Sequence, residues 1–522
     1  MATTLRRIAI RRVAAVAAAV AAGIFTAGSA SAQLSQAWTW CVNKEKASPD
    51  LQVSGCTTVI QSGKETKKNL SIAFNNRGNG YRAKNDNDNA LADYNQAIRL
   101  DPKYTYPYNG RGNVYEDKKD YDRAIAEYNE AIRLDPKYAS PYNGRGNAYQ
   151  GKKDYDRAIG EYSEAIRLDR SYALAYNGRG NAYQAKKDYD RAIADYTESV
   201  RLDPKYASPH NGRGNAYRSK GDIDRALPDY NDAIQLDPRS ALPYNGRANA
   251  YFDKKDYDRA IADYSEAMRI DPKYATAFNN RGLAYARKSD YDRAIADYNQ
   301  ALALDPQYAV AYDNRGDAYA AKGDNDRAIA DYSDAMRVDP KYAIAYNDRG
   351  YTYAKKQDYD RAIADYNEAI RIDPSYSAAF NNRSIAYENK GQYAQAIEGF
   401  DQLIRLQPTN ANLWNYRCWD RALIDQLQPA LTDCSESLRL RPDDANTIDS
   451  RALVYLKLGD LDKALADYDG ALKLNPKLAG SLYGRGVVKQ KKGDTTGAEA
   501  DMTAAKVIRA NVAEQWAKYG VK

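Results

Sequence analysis

A period of 34 residues constrains the fold of this chain more than any other feature. The heptapeptide NGRGNAY stands unchanged at residues 143–149, 177–183 and 211–217. The same spacing continues without insertion through residues 71–512, which hold thirteen copies. A repeat of this length indicates a solenoid, in which each copy packs against its neighbours along the chain. We therefore expect an extended array and no single core for the 522 residues.

Each copy predicts two helices. Positions are numbered 1 to 34 within a copy, and the copies begin at every 34th residue from 71 to 479. In the copy of residues 139–172, Tyr142 and Tyr149 lie on one helical stripe, and Ala158 and Tyr162 lie on a second. A polar turn separates the stripes, and most copies end in Asp-Pro, which disfavours further helix. The sequence therefore predicts an all-α chain of antiparallel helix pairs.

The glycines of the heptapeptide are predicted to be structural. Position 8 is glycine in nine copies and a small residue in the others, and position 20 is alanine in all thirteen. A glycine inside a helix costs about 1 kcal/mol relative to alanine, so its recurrence needs a packing reason. We expect two helices to approach closely at these small residues, with the tyrosine of position 24 filling the space beside them. A phosphate-binding loop would need a third glycine and a preceding strand.

The repeat resembles a known family. The pattern Y-x2-R-G-x2-Y of residues 142–149, followed by A-x3-Y at residues 158–162, is similar to the tetratricopeptide repeat. The resemblance covers about 85% of the chain. It implies a right-handed α-solenoid superhelix of about thirteen helix-turn-helix repeats. It also implies that first helices line a concave groove, and that the ligands are extended peptides or segments of partner proteins.

One departure from the family pattern recurs in every copy. The family usually has leucine at position 7, whereas this chain has arginine in all thirteen copies. Position 23 is Asp or Glu in twelve copies, with Gly399 as the exception. Because the two positions lie at similar heights in an antiparallel pair, we expect an arginine–carboxylate bridge in nearly every repeat.

Two positions of the first helix are candidates for ligand binding. Positions 5 and 9 are i, i+4 neighbours, and both are asparagine in the first six copies. An amide offers a donor and an acceptor, which suits a peptide backbone, and the pattern resembles the asparagine ladders of peptide-binding tetratricopeptide superhelices. Duplication that copied every residue is the alternative explanation. The predicted ladder comprises Asn75, Asn79, Asn109, Asn113, Asn143, Asn147, Asn177, Asn181, Asn211, Asn215, Asn245 and Asn249.

Position 9 changes character in the later copies. It becomes Leu283, Asp317, Tyr351, Ile385, Trp419, Leu453 and Val487. Exposed side chains there would form an apolar interface, with Tyr351 and Trp419 as partner-binding residues. Closer packing of divergent repeats would instead bury them.

The N-terminus predicts export. Four arginines precede an apolar run at residues 13–25, and residues 30–32 read Ala-Ser-Ala, so residues 1–32 match a secretory signal peptide. The run is short and alanine-rich for a membrane anchor. Arg6 and Arg7 match a twin-arginine signal only in part, which leaves the export route open. We expect a periplasmic or secreted protein that has no integral membrane segment after cleavage and is compatible with envelope association.

The cysteines and the single histidine fit this location. The four cysteines form two local pairs, Cys41 with Cys56 and Cys418 with Cys434, which predict disulfides in an oxidising compartment. His210 stands at position 4, where most copies have Tyr or Phe, and is interpreted as a core side chain. No metal site is predicted. Residues 33–70 should form a disulfide-stapled N-terminal cap, and residues 513–522 a C-terminal capping helix continuous with the helix before it.

Charge and motifs narrow the function. Without the four arginines of residues 1–32, the 77 basic residues fall to 73, against 70 acidic ones, which gives no support to nucleic-acid binding. The chain shows no catalytic motif, so no enzymatic activity and no cofactor are predicted. We expect a scaffold or adaptor that binds protein or peptide segments in the cell envelope. The alternative is a carbohydrate-binding or polysaccharide-export accessory, since the chain has 47 tyrosines.

Overall fold

The computed structural model describes residues 27–44 and 46–521, with side chains from residue 33 onward. The predicted signal peptide lies outside the described residues except for residues 27–32, whose backbone is helical. The described residues form 29 helices and contain no strand, which confirms the predicted all-α solenoid. None of these helices is long and apolar enough to cross a membrane.

The chain divides into two compact units. The N-terminal unit ends at Asp256, and the C-terminal unit begins at Tyr257. The helices of the N-terminal unit are α1 (Ala27–Cys41), α2 (Pro49–Gln61), α3 (Lys67–Ala83), α4 (Asn87–Leu100), α5 (Tyr106–Asp117), α6 (Tyr121–Leu134), α7 (Ala139–Gly151), α8 (Tyr155–Leu168), α9 (Ala173–Ala185), α10 (Tyr189–Leu202), α11 (Ala207–Ser219), α12 (Ile223–Leu236) and α13 (Ala241–Asp253). Five complete repeats, α3–α4 to α11–α12, therefore lie in this unit.

The C-terminal unit holds seven complete repeats, α15–α16 to α27–α28. Its helices are α14 (Tyr257–Ile270), α15 (Ala275–Arg287), α16 (Tyr291–Leu304), α17 (Ala309–Ala321), α18 (Asn325–Val338), α19 (Ala343–Lys355), α20 (Tyr359–Ile372), α21 (Ser377–Asn389), α22 (Tyr393–Leu406), α23 (Ala411–Leu423), α24 (Leu427–Leu440), α25 (Ala445–Leu458), α26 (Leu461–Leu474), α27 (Ala479–Lys491), α28 (Thr495–Ile508) and α29 (Val512–Lys518).

The turn inside each repeat is set by two adjacent positions. Position 15 has a positive φ in every copy, for example 62° at Lys153 and 81° at Gly221, which reverses the chain after the first helix. Position 16 is usually aspartate, and its carboxylate caps the second helix: Asp154 accepts a hydrogen bond from the backbone N–H of Arg157. The two helices of a repeat are thereby placed side by side.

The two glycines of the heptapeptide pack against tyrosine rings. A Cβ atom on Gly146 would lie 2.8 Å from the ring of Tyr162, which stands at position 24 of the same repeat. A Cβ atom on Gly178, at position 6 of the next repeat, would lie 2.5 Å from the same ring. Tyr162 is thus held between two helices that come close because both contact positions are glycine. This arrangement confirms the predicted packing role of position 8.

Two disulfides and a short last helix are found outside or in addition to the regular repeat pattern. The structure joins Cys41 to Cys56 within the α1–α2 hairpin and Cys418 to Cys434 within the α23–α24 repeat, as predicted. The prediction that the last helix continues without a break is wrong. Helix α28 ends at Ile508, the backbone of Arg509 is extended, and α29 begins at Val512. The break lets Val512 and Trp516 turn back into the core, where both are buried.

Candidate functional site

The arginine at position 7 forms an ion pair with the acid at position 23 of the same repeat. The guanidinium of Arg77 donates to both carboxylate oxygens of Asp93, at 2.7 and 2.8 Å, and equivalent bridges confirm the prediction along both units. Equivalent bridges include Arg111–Glu127, Arg145–Glu161, Arg179–Asp195, Arg213–Asp229, Arg281–Asp297, Arg315–Asp331, Arg349–Asp365, Arg417–Asp433, Arg451–Asp467 and Arg485–Asp501. Arg383 faces Gly399 in place of an acid, and burial lowers its pKa.

The side-chain oxygen of the asparagine at position 9 already accepts a hydrogen bond from within the protein. The hydroxyl of Tyr94, at position 24, donates to Oδ1 of Asn79 at 2.7 Å. The same bond recurs at Asn113, Asn147, Asn181 and Asn215. A ligand at this position would therefore meet the NH2 group and not the carbonyl oxygen. Asn79 is exposed, and the other asparagines of position 9, Asn249 included, are half-buried.

Asparagine at position 5 is more buried than the sequence suggests. Asn75, Asn109 and Asn177 are 3%, 7% and 6% exposed, and Asn245 is also buried. In the five complete repeats of the N-terminal unit, the Oδ1 atom is enclosed and has no hydrogen-bond partner among the described residues. We call these five side chains the amide row. It consists of Asn75, Asn109, Asn143, Asn177 and Asn211.

The opposite orientation of these amides would not remove the unpaired atom. The NH2 group of Asn109 donates to Oγ of Ser140 at 3.4 Å, and that of Asn177 donates to the hydroxyl of Tyr206 at 3.2 Å. Exchanging O and N would let the hydroxyl donate instead, but it would place an NH2 group where the unpaired oxygen now lies. In either orientation, each of these two amides therefore keeps one polar atom without a partner among the described residues.

Position 6 of the next copy explains why the amide row is unpaired. In the N-terminal unit this position is glycine after every member of the row, so no side chain reaches the oxygen. In the C-terminal unit it is asparagine at three places, Asn280, Asn314 and Asn382. The NH2 group of Asn314 donates to Oδ1 of Asn279 at 2.9 Å, and Asn382 donates to Asn347 at 3.0 Å. A residue 35 places along the chain thus decides whether a position-5 amide is satisfied.

One member of the amide row, Asn211, lines an open surface depression between neighbouring repeats. A depression of about 370 Å³ is lined by Asn181, Gln184, Ser208, Asn211 and Asn215, together with nearby backbone. Exposed apolar side chains stand at position 2 of alternate copies in the same unit. They are Tyr106, Leu174 and Leu242, which are 53%, 48% and 58% exposed. The surface thus combines amide groups with regularly placed apolar side chains.

The apolar residues of position 9 fall into two groups in the C-terminal unit. Tyr351 and Ile385 are exposed. Trp419 is half-buried, and its ring packs edge-on against Tyr519, which follows α29, with 5.3 Å between the ring centres. Leu453 and Val487 are buried in the same cluster. The surface predicted for a partner at Trp419 is therefore in contact with the C-terminal segment of this chain.

An acidic cluster was missed by the sequence reasoning. Asp313 and Asp317 occupy positions 5 and 9 of one copy, and Asp348 occupies position 6 of the next. Burial, with Asp348 as the nearest like charge, raises the pKa of Asp313 to about 8. Burial also raises the pKa of Asp348 to about 6 and that of Asp317 above its usual value. The available signal was the change from asparagine to aspartate at both ladder positions of one copy.

Models of known families match most of the array. The model described as TPR repeat matches residues 78–119, 112–153, 151–187, 214–254, 248–289 and 452–493. Three models described as tetratricopeptide repeat match residues 314–377, residues 173–206 with 275–308, and residues 365–398. The chain belongs to the tetratricopeptide repeat family. As a member of this family it is a protein-interaction scaffold, and proteins of the family are generally non-enzymatic.

Several solved structures are similar to the chain. The Cut9–Hcn1 hetero-tetramer of APC/C has 16% identity and a TM-score of 0.40, covering 79% of this chain and 94% of that chain. A tetratricopeptide repeat protein from Parabacteroides merdae has 19% identity and a TM-score of 0.40, covering 48% and 98%. YrrB, described as a TPR protein with an unusual peptide-binding site, has 25% identity and a TM-score of 0.29, covering 35% and 95%. No curated protein matches the chain.

Proposed function

We propose that the N-terminal unit binds extended segments of partner proteins through the amide row, and that the chain acts as a scaffold in the cell envelope. The observation that carries this proposal is the set of five enclosed, unpaired carbonyl oxygens, one in each complete repeat of that unit. Leaving a buried acceptor without a donor costs about 1–3 kcal/mol. A ligand that donates to these atoms would recover part of that free energy.

The chemistry of the surface favours a peptide backbone. An extended peptide presents N–H and C=O groups in alternation, so its N–H groups can donate to the amide row and its carbonyls can accept from the NH2 groups of position 9. Tyr106, Leu174 and Leu242 are exposed beside these amides and would contact the ligand's side chains. The backbone would supply the affinity, and the apolar residues would select the sequence.

The proposal can be tested with a phage-displayed library of random 12-residue peptides and the full chain. We expect the library to yield peptides whose binding weakens by tenfold or more, about 1.4 kcal/mol, in the combined variant Asn109→Ala, Asn143→Ala and Asn177→Ala. N-methylation of the selected peptide at single residues removes one N–H at a time. We expect the methylated sites that weaken binding to alternate along the peptide.

Two position-5 asparagines of the C-terminal unit provide the matched control. Asn279 and Asn347 also stand at position 5, but their oxygens already accept hydrogen bonds from Asn314 and Asn382. Asn347→Ala should leave peptide binding unchanged and should destabilise its repeat, because Asn382 loses its acceptor. The row variants should keep or raise the melting temperature. Peptides that bind equally well to the triple variant, or strong binding confined to a glycan array, would refute the proposal.

Export from the cytoplasm is part of the same proposal. The supporting observations are the matching sequence of residues 1–32 and the two disulfides, since such bridges persist in oxidising compartments. Cell fractionation followed by N-terminal sequencing should find the chain outside the cytoplasm and beginning at Gln33. A cytoplasmic chain that retains residues 1–32 would contradict this part.

A further inference from the structure

The single histidine of the chain lies between two carboxylates. His210, in α11, is 6% exposed, and its Nδ1 atom is enclosed with no hydrogen-bond partner among the described residues. This atom lies 3.6 Å from Oδ2 of Asp232 and 3.8 Å from Oδ1 of Asp229. Ligand atoms of the three residues all lie within 4.8 Å of one another. A nitrogen and two carboxylate oxygens therefore converge on one point.

This repeat departs from its neighbours at the positions that form the cluster. The other complete repeats of the N-terminal unit have Phe or Tyr at position 4, where His210 stands. They also have arginine at position 29, where this repeat has Gln235. In three of them that arginine pairs with the acid of position 26, as in Arg133–Glu130, Arg167–Glu164 and Arg201–Glu198. Asp232, the acid of position 26 here, has no such arginine, and its side chain is 54% exposed.

We propose that His210, Asp229 and Asp232 bind a divalent transition-metal ion, with Zn²⁺ as the preferred ion. Imidazole nitrogen and carboxylate oxygen are both ordinary zinc ligands, and bonds of 2.0–2.2 Å place the ligand atoms of a tetrahedral ion about 3.4 Å apart. The observed separations of 3.6 and 3.8 Å approach that geometry before any ion binds. The exposed side of Asp232 leaves the fourth position open to water or to a partner's side chain.

Arg213 limits the strength of this site. Its guanidinium donates to Oδ2 of Asp229 at 2.9 Å and to Oδ1 at 2.6 Å, which fixes the orientation of that carboxylate. The same positive charge repels a bound cation. Two carboxylates and one guanidinium leave a net charge of one negative unit facing the metal. We therefore expect weaker binding than at a closed structural zinc site, in which four protein ligands surround the ion.

The sequence makes the site directly observable. Because His210 is the only histidine, the full chain carrying ¹⁵N-labelled histidine and no histidine tag gives the nuclear magnetic resonance signals of one imidazole. We expect ZnCl2 to bind at one ion per chain in calorimetry and to shift the Nδ1 resonance. Co²⁺ should give the visible absorption of a protein-bound ion. No saturable binding of either metal, or a shift confined to Nε2, would overturn the proposal.

Two variants restore what the other repeats contain. His210→Tyr introduces the aromatic residue of the neighbouring copies and should abolish the site without disturbing the fold. Gln235→Arg introduces the usual partner of the position-26 acid, so it should engage Asp232 and weaken Zn²⁺ binding about tenfold or more. Asp224→Asn removes an exposed acid of α12, the helix that carries Asp229 and Asp232, and should leave Zn²⁺ binding unchanged. Zn²⁺ binding that persists in His210→Tyr would show that the ion lies elsewhere and would refute the assignment.

Discussion

Replacing Asp348 by asparagine should stabilise the repeats around it. Asp348 stands at position 6, where the copies on either side have Asn314 and Asn382, and those amides donate to the position-5 oxygen of the preceding copy. A carboxylate has no hydrogen to donate. Oδ1 of Asp313 is accordingly buried without a partner among the described residues, and Asp348 is the nearest like charge that raises its pKa. Asp348→Asn supplies the missing donor and removes that charge.

The magnitude follows from the pKa values. One pKa unit corresponds to about 1.4 kcal/mol. The rise of the Asp348 pKa from 3.8 to about 6 therefore bounds the gain from this residue at about 3 kcal/mol. Solvent around the partly exposed carboxylate screens the repulsion, so we expect a gain of about 1–2 kcal/mol at pH 8. At pH 4 both acids are largely protonated in the folded state, and the gain should be smaller.

The pH dependence has a definite sign. Both carboxyl groups have a raised pKa in the folded state, so the folded protein holds protons that the unfolded chain releases above about pH 4. Stability should therefore fall as the pH rises from about 4 to about 8. In Asp348→Asn the pKa of Asp313 should decrease towards its usual value, and this fall in stability should become shallower.

Amide hydrogen exchange is the suitable assay, because an array of repeats opens locally and need not unfold in one step. Exchange in α17 and α19 should slow in Asp348→Asn at pH 8 after correction for the intrinsic rate. Asn382→Asp is the reciprocal control: it places a carboxylate against Asn347 and should speed local opening. Equal protection of wild type and Asp348→Asn at pH 8, or a larger gain at pH 4 than at pH 8, would refute the reasoning.

Four further variants test the packing. Gly178→Ala should destabilise the chain by about 1–3 kcal/mol because the new Cβ meets a tyrosine ring. Gly160→Ala should stabilise it by about 1 kcal/mol because a Cβ at that position meets no atom within 4 Å. The melting temperatures of the two variants measure the difference. Trp516→Ala removes a buried ring of the terminal helix and should cost about 3–5 kcal/mol, which urea denaturation can measure. Non-reducing peptide mapping should recover the two linked cysteine pairs, and replacing Cys418 and Cys434 by alanine should cost about 3 kcal/mol.

The sequence predicts the repeat unit well because its determinants are local. The helix pairs, the arginine–carboxylate bridges and the close contact of the position-8 glycine all follow from positions within one copy of 34 residues. The bridge at position 23, for example, could be derived from the height of two residues in one antiparallel pair. The break at Arg509 could not, because it depends on the burial of Val512 and Trp516 in a cluster that includes Tyr468 and Tyr483 of the two helices before α28.

The candidate site depends on side chains that meet only after the helices have packed, within a copy or between copies, which explains what the sequence reasoning missed. The ladder was predicted from positions 5 and 9 of a single helix, whose side chains are more buried than expected. The hydroxyl of Tyr94, on the second helix of the same repeat, donates a hydrogen bond to the side-chain oxygen of Asn79. The state of each position-5 amide depends on a residue 35 places away. The cluster around His210 needs positions 4, 23 and 26 of one copy, which meet only after the two helices have packed.

The comparison of the two units relates the state of a position-5 asparagine to position 6 of the following copy where that residue is asparagine or glycine. A position-5 asparagine is satisfied internally where the following copy has asparagine at position 6, as Asn279 and Asn347 are. It is left unpaired where that residue is glycine, as it is throughout the amide row. The glycine is also the residue whose added Cβ would strike the preceding tyrosine ring, so the packing that holds two repeats together is the same packing that keeps the carbonyl open. In the heptapeptide NGRGNAY, the arginine and both glycines build the scaffold, and the first asparagine, left without a donor by the glycine of the next copy, is the residue through which we propose that the scaffold binds a partner.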